Sequence, residues 1–107
     1  MQLDKLTKEL ERSWDPEMGF LGRLRDGYFS HDGCLETLRL LKDIHSEIKR
    51  KEPSTLDRNL VRLLWYIPTY LVWQKDFLME RKQIDGQDYD NVCDQFLTAL
   101  SEILEIP

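Results

Sequence analysis

The chain has 107 residues, of which 41% are hydrophobic and 33% charged, and 15 basic against 20 acidic residues give a net charge of −5. This length and apolar content predict one domain over residues 1–107 and argue against a disordered segment. The acidic balance argues against a nucleic-acid binder that works through a basic face. No apolar run approaches the roughly 20 residues of a membrane helix, and the N-terminus lacks a signal-peptide profile, so we expect a cytoplasmic protein.

The negative charge is concentrated near the C-terminus. A one-signed patch of this kind steers partners of opposite charge and raises their association rate. The alternative is a solvated helix face with acids near its N-terminus, where the helix dipole favours them. Residues 83–107 contain no base and six acids, which are Asp85, Asp88, Asp90, Asp94, Glu102 and Glu105.

The first half of the chain has helical patterning. Apolar residues at helical spacing predict a helix over residues 2–12. Asp15 is a suitable cap for a second helix, with Pro16 at its first position, where the missing N–H costs nothing. Gly27 is expected to end this helix because glycine tolerates the left-handed conformation. Ser30 or Asp32 is expected to cap a third helix, which is predicted to stop at Pro53.

A long, strongly apolar fourth helix is predicted over residues 55–82. Pro68 should kink it, or split it near Ile67. A helix that is apolar nearly all round is normally the buried centre of its domain. Its aromatic residues therefore favour core packing, and the alternative is that one of them anchors a partner interface. The candidate anchors are Tyr66, Tyr70 and Trp73.

A final helix is predicted after the Asp85-Gly86 turn, with Asp85 or Asp88 as its cap. No strand-like alternation of useful length occurs. The sequence therefore predicts an all-α fold, a compact bundle of about five helices with a central apolar helix kinked near Pro68.

The search for catalytic and metal-binding motifs gives little. His31 and His45 are the only histidines, and their separation matches no metal-binding helix motif. Cys34 and Cys93 do not form a CxxC pair, which argues against a zinc site. We therefore expect a protein that is not an enzyme, with no catalytic residues, no metal site and no cofactor.

The first half of the chain also carries a family resemblance. The residues that carry this resemblance are Trp14-Asp15-Pro16, then Gly19-Phe20-Leu21 and the segment from Leu24 to Phe29, followed by a leucine-rich helix. In these features the chain resembles the small all-helical immunity proteins of bacterial contact-dependent growth inhibition and related polymorphic toxin systems. The resemblance implies that the protein binds a cognate toxin's C-terminal domain, often a nuclease, and has no enzymatic activity of its own. We expect a monomer in a 1:1 complex, without direct contact to nucleic acid or membrane.

The residues expected to bind the toxin come from charge and aromatic placement alone. A tyrosine among aspartates suits a protein partner, and an acidic surface suits a basic one. The predicted partner-binding residues are Asp85, Asp88, Tyr89, Asp90 and Asp94.

Two other functions remain open at this stage. An array of acids could imitate phosphates, as in a phage-type or regulatory inhibitor that mimics nucleic acid. A small helical ligand-binding or regulatory domain is the other, and Arg23, Arg25 and His31 could then bind an anion.

Overall fold

The computed structural model of the protein describes residues 2–105. This part of the chain is all-α, as predicted, with six α-helices, one short 3₁₀ turn and no strand. The predicted domain over residues 1–107 extends beyond the described residues at both ends. The helices are α1 (Gln2–Ser13), α2 (Phe20–Arg23), α3 (His31–Lys51), α4 (Arg58–Leu64), α5 (Ile67–Glu80) and α6 (Gly86–Leu104), with the 3₁₀ turn at Leu24–Asp26.

The four long sides of the bundle are α1, α3, α6 and the α4–α5 pair. α3 packs between α1 and α6, α5 packs against the other side of α6, and α4 contacts α1. Every helix contributes buried apolar side chains to one core. The short α2 and its 3₁₀ turn close one part of the bundle against α1, α3 and α5.

The second helix begins later than the sequence predicts. It starts at Phe20 and not at Pro16, because Gly19 has an extended backbone, with φ of −87° and ψ of 147°, that ends the preceding turn. Oδ1 of Asp15 accepts hydrogen bonds from the backbone N–H groups of Glu17, at 2.8 Å, and Met18, at 3.3 Å. These are the bonds of a helix cap, so Asp15 caps a single turn that does not continue into α2.

Two glycines let this connection lie directly on the end of α1. A Cβ on Gly19 would lie 2.3 Å from the carbonyl oxygen of Ser13, and one on Gly22 would lie 2.2 Å from that of Asp15. Only glycine allows so close an approach of two backbones. Gly27 ends the 3₁₀ turn with φ of 76°, as the sequence predicts for a left-handed terminal residue.

Side-chain caps fix where α3 and α4 begin. The hydroxyl of Ser30 accepts a hydrogen bond from the N–H of Gly33 at 3.0 Å, so the cap of α3 is Ser30 and not Asp32. The carboxylate of Asp57 caps α4 by accepting from the N–H of Asn59 at 3.3 Å. The predicted fourth helix therefore begins at residue 58 rather than 55.

The predicted fourth helix is split into α4 and α5. Pro68 has no N–H to donate to the carbonyl of Leu64, so the helical ladder is interrupted there. Trp65 and Tyr66 form the junction, and both keep right-handed helical dihedral angles. The chain therefore passes from α4 to α5 without a reversal of direction.

The expectation that this helix is the buried centre of the domain is correct for only one side of it. Ile67, Leu71 and Leu78 are fully buried against the bundle. On the other side Trp65 is 61% exposed and Trp73 is 66% exposed. α5 forms an edge of the bundle, and nothing in residues 2–105 covers its outward face.

Candidate functional site

The five predicted partner-binding residues lie at the start of α6 but do not share one face. At about 100° per residue, Asp90 and Asp94 are about 40° apart around the helix and point outward. Asp88 lies about 120° from Asp94 and borders a cavity that His31 and Met79 also line. Asp85 precedes the helix at the cap position, and Tyr89 points inward.

Tyr89 is the one predicted site residue that the structure removes from the surface. Its side chain is fully buried, and its hydroxyl donates a hydrogen bond of 2.6 Å to the carbonyl oxygen of Leu71. Its ring packs edge-on to that of Phe29. Burial strongly raises the pKa of Tyr89, which keeps the hydroxyl protonated. Tyr89 therefore joins α5 to α6 and is unavailable to a partner.

Asp90 is exposed but already has an ion-pair partner. Its Oδ1 lies 2.8 Å from Nζ of Lys75 on α5. The hydrogen bond that the Lys75 ammonium donates to Asp90 raises the pKa of Lys75. This pair lies at the surface, so it contributes little to folding stability, but it places a carboxylate at the line where α5 and α6 meet.

The other three predicted acids are free of such contacts within residues 2–105. Asp85, Asp88 and Asp94 are exposed and make no ion pair there. Asp94 borders a groove of about 580 Å³ between α6 and α3, whose opposite wall carries Arg39 and Lys42. Glu102 lines the same side of this groove, so acids of α6 face bases of α3 across it.

Exposed apolar side chains lie beside the outward acids. Leu97 is 48% exposed and follows Asp94 by three residues, so the two share a face of α6. Val72 and Met79 are also exposed, on the edge of the antiparallel neighbour α5 that turns toward α6. We call this surface the α5–α6 face, and it consists of Val72, Met79, Asp90, Asp94 and Leu97.

The histidines and cysteines form no recognisable catalytic group. Nδ1 of His45 lies 3.5 Å from a carboxylate oxygen of Glu102 at the surface. Burial raises the pKa of Cys34 and of Cys93 to about 11, so both thiols stay protonated and poorly nucleophilic near neutral pH. Residues 2–105 contain no group of three or more histidine, cysteine, aspartate or glutamate side chains placed to hold a metal ion.

Arg23 and Arg25, which the sequence offers for an anion site, each pack against a different aromatic ring. The guanidinium of Arg23 lies 3.9 Å from the ring centroid of Tyr28, and that of Arg25 lies 5.2 Å from the centroid of Tyr70. His31 packs edge-on to another ring, 5.0 Å away. The structure does not bring these three side chains together around one ligand.

The exposed tryptophans are a feature that the sequence interpretation largely missed. Tyr66 lies between them, with ring centroids 5.4 Å from Trp65 and 5.8 Å from Trp73. Of the three candidate anchors, Tyr70 is buried with its hydroxyl bonded to the carbonyl of Leu21, Tyr66 is half-buried, and Trp73 is exposed. The useful signal was the position of both tryptophans opposite the leucine stripe.

Comparison with protein-family models, with curated proteins and with solved structures finds no match to this chain. No helix within residues 2–105 combines the length and the apolar character needed to cross a membrane.

Proposed function

We propose that this protein is an immunity protein, which binds a cognate bacterial toxin domain in the cytoplasm and blocks it by occupying its surface. The proposed partner is a basic domain, of the kind found in toxin nucleases, and the protein itself performs no chemistry. The α5–α6 face is the proposed contact surface, with Asp85 and Asp88 extending its negative charge toward the start of α6.

The observation that carries this proposal is the combination of exposed apolar and acidic side chains on the α5–α6 face. Protein interfaces place apolar contacts at their centre and polar groups around them. Here Val72, Met79 and Leu97 supply apolar area, and Asp90 and Asp94 supply charge. Acids accelerate the capture of a basic partner, while buried apolar contacts slow its release.

The segment that resembles immunity proteins has a structural role in this chain. Nε1 of Trp14 donates a hydrogen bond of 3.0 Å to the carbonyl of Leu63, which ties the connection after α1 to α4. Gly19 lets the connection pack against the end of α1, and Gly22 lets α2 pack against Trp14 and Asp15 of the connection. The resembling residues support the fold, and the proposal therefore assigns partner recognition to the α5–α6 face.

The proposal is tested by affinity capture from the native lysate at low and moderate salt. The wild-type protein is compared with a variant carrying Asp94→Lys and Leu97→Ser on the proposed face. A matched control carries Glu17→Lys and Met18→Ser. These changes also reverse one acidic charge and replace one apolar side chain by serine, at exposed positions outside the α5–α6 face.

The expected result is one stoichiometric basic protein that the wild type and the control retain and the α5–α6 variant loses. Capture should also weaken as salt screens the charges. A DNA-binding enzyme that DNA displaces would favour nucleic-acid mimicry instead. Equal retention by all three proteins would contradict the assignment to this face.

A further inference from the structure

A stripe of exposed residues runs along the outward side of α4 and α5. Successive spacings along it are four, three, four, four, three and four residues, which keeps every member on one helix face, opposite the core. Trp65 and Tyr66 keep helical dihedral angles, so the stripe continues across the junction of the two helices. Its members, all exposed, are Arg58, Arg62, Trp65, Thr69, Trp73, Asp76 and Glu80.

The two halves of this stripe on either side of Thr69 mirror each other in side-chain size but carry opposite charges. Two arginines lie at one end and two acids at the other, with a tryptophan on each side of the central Thr69. We propose that this stripe is a dimer interface, in which α4 and α5 of two copies of the chain pack antiparallel across a two-fold axis at Thr69.

Antiparallel pairing about Thr69 matches every position of the stripe with a complementary one. Arg58 meets Glu80 of the second copy, and Arg62 meets Asp76 of the second copy. Trp65 meets Trp73 of the second copy. The two Thr69 residues face each other, and their small side chains let the helices approach closely at the axis. Because a two-fold interface uses the same patch twice, each pair occurs twice.

The charges favour a second copy of this chain over other arrangements. Parallel pairing in register would place arginine against arginine and acid against acid, which is repulsive. A uniformly basic or uniformly acidic partner would match only one end of the stripe. The antiparallel pair alone satisfies both ends and covers the tryptophans.

The present contacts of the stripe are compatible with this pairing. The guanidinium of Arg62 donates to Oδ1 of Asn59 at 2.6 Å and lies 3.8 Å from a carboxylate oxygen of Glu11. A guanidinium has five N–H donors, so it can hold these groups and a carboxylate of the second copy together. Tyr66 packs between Trp65 and Trp73 and supports both rings.

The stripe is long enough for a specific interface. α5, with 14 residues, extends about 21 Å, and the 7 residues of α4 add about 10 Å. The two-fold axis brings four tryptophans together. Trp65 and Trp73 are 61% and 66% exposed, so each still has well over half of the roughly 150–250 Å² of an aromatic side chain to bury. On α5 the α5–α6 face adjoins the stripe, because Val72 follows Thr69 by three residues, while Met79 and the residues of α6 lie beyond it. The dimer would therefore carry two proposed toxin sites, one beside each edge of the interface, in place of the monomeric complex predicted from the sequence.

The test is sedimentation velocity of the purified chain between about 1 µM and about 1 mM. The wild type should move from the 12.8 kDa monomer to twice that mass as concentration rises. Arg62→Glu alone and Asp76→Arg alone should each weaken the dimer about tenfold or more, because each change creates two repulsive pairs.

An equimolar mixture of these two variants should restore the dimer, since each copy then supplies the charge that the other lacks. The same dimer from the mixture also demonstrates that both variants are folded. Arg39→Glu and Asp43→Arg, at exposed sites on α3, form the matched control pair and should leave dimerisation unchanged. A wild type that stays monomeric throughout, or a dimer indifferent to the single reversals, would overturn the proposal.

Discussion

Tyr89 is buried, while Asp88 and Asp90, its neighbours in sequence, are exposed. Asp88 and Asp90 flank Tyr89 in sequence, but each step of about 100° around a helix moves a side chain to another side. The aspartates therefore reach solvent, while the tyrosine fills the space between α5 and α6. The prediction that Tyr89 shares a surface with Asp88 and Asp90 is wrong, because consecutive residues of a helix point in different directions.

The hydroxyl and the ring of Tyr89 should contribute separately to stability. We expect Tyr89→Phe to lower the free energy of unfolding by about 1 kcal/mol, through the lost hydrogen bond to Leu71. Tyr89→Ala should cost about 3–5 kcal/mol because it also leaves a cavity. Urea unfolding followed by circular dichroism measures both values. Tyr28→Phe, at an exposed site, is the control and should change little.

We expect the two buried thiols to lower the stability of the folded protein at alkaline pH. In the folded protein the pKa of Cys34 and of Cys93 is about 11, above the ordinary value of 9.0. Between these values the unfolded chain releases its thiol protons and the folded chain retains them. Stability is therefore fully present below pH 9 and falls as the pH rises toward 11.

We predict that the melting temperature falls between pH 9 and pH 11, and falls less in the Cys34→Ala and Cys93→Ala double variant. Alkylation by iodoacetamide at pH 8 should be slow in the folded protein and fast in urea, because only the thiolate reacts. Rapid alkylation of the folded wild type would show that these thiols are not held protonated.

At the scale of elements, the sequence predicts what depends on periodicity and misses what depends on local competition. The all-α class, α1, the Ser30 cap and the break near Pro68 follow from spacing and proline chemistry. The predicted start of α2 is wrong because the extended backbone of Gly19 ends the turn that Asp15 caps. The exposure of Trp65 and Trp73 was missed because it depends on which neighbours pack against α5.

The glycines of the connection after α1 should be among the least replaceable residues. Gly19→Ala places a Cβ against backbone carbonyls that cannot move independently, so we expect a loss of about 1–3 kcal/mol in unfolding free energy. Gly86→Ala is the matched control. There the nearest atoms belong to the flexible side chain of Met79, so stability should be unchanged or slightly higher. Equal effects at both sites would contradict this close backbone packing.

At the scale of the molecule, α5 separates two surfaces of different character. Its edge toward α6 contributes Val72 and Met79 to an acidic and apolar face. Its outward stripe contributes Trp73, with opposite charges at the two ends. The first suits a basic partner and the second suits another copy of the chain. The sequence located the acids of the first surface, but the apolar residues beside them required the packing of α5 on α6.

Salt should slow the association of the α5–α6 face with a basic partner. For the proposed toxin complex, we predict that the association rate falls steeply between low and moderate ionic strength while the dissociation rate changes little. Stopped-flow mixing with the captured partner measures both rates. An association rate independent of salt would mean that the acids of α6 do not steer the encounter.

The most direct test of the proposed function is an inhibition titration of the captured partner. The partner's own activity, such as nuclease cleavage, is measured while this protein is added. We predict that activity falls to zero at one chain per toxin domain, and that the Asp94→Lys and Leu97→Ser variant fails to inhibit at the same ratio. A partner that remains fully active when saturated with the wild-type protein would contradict the account.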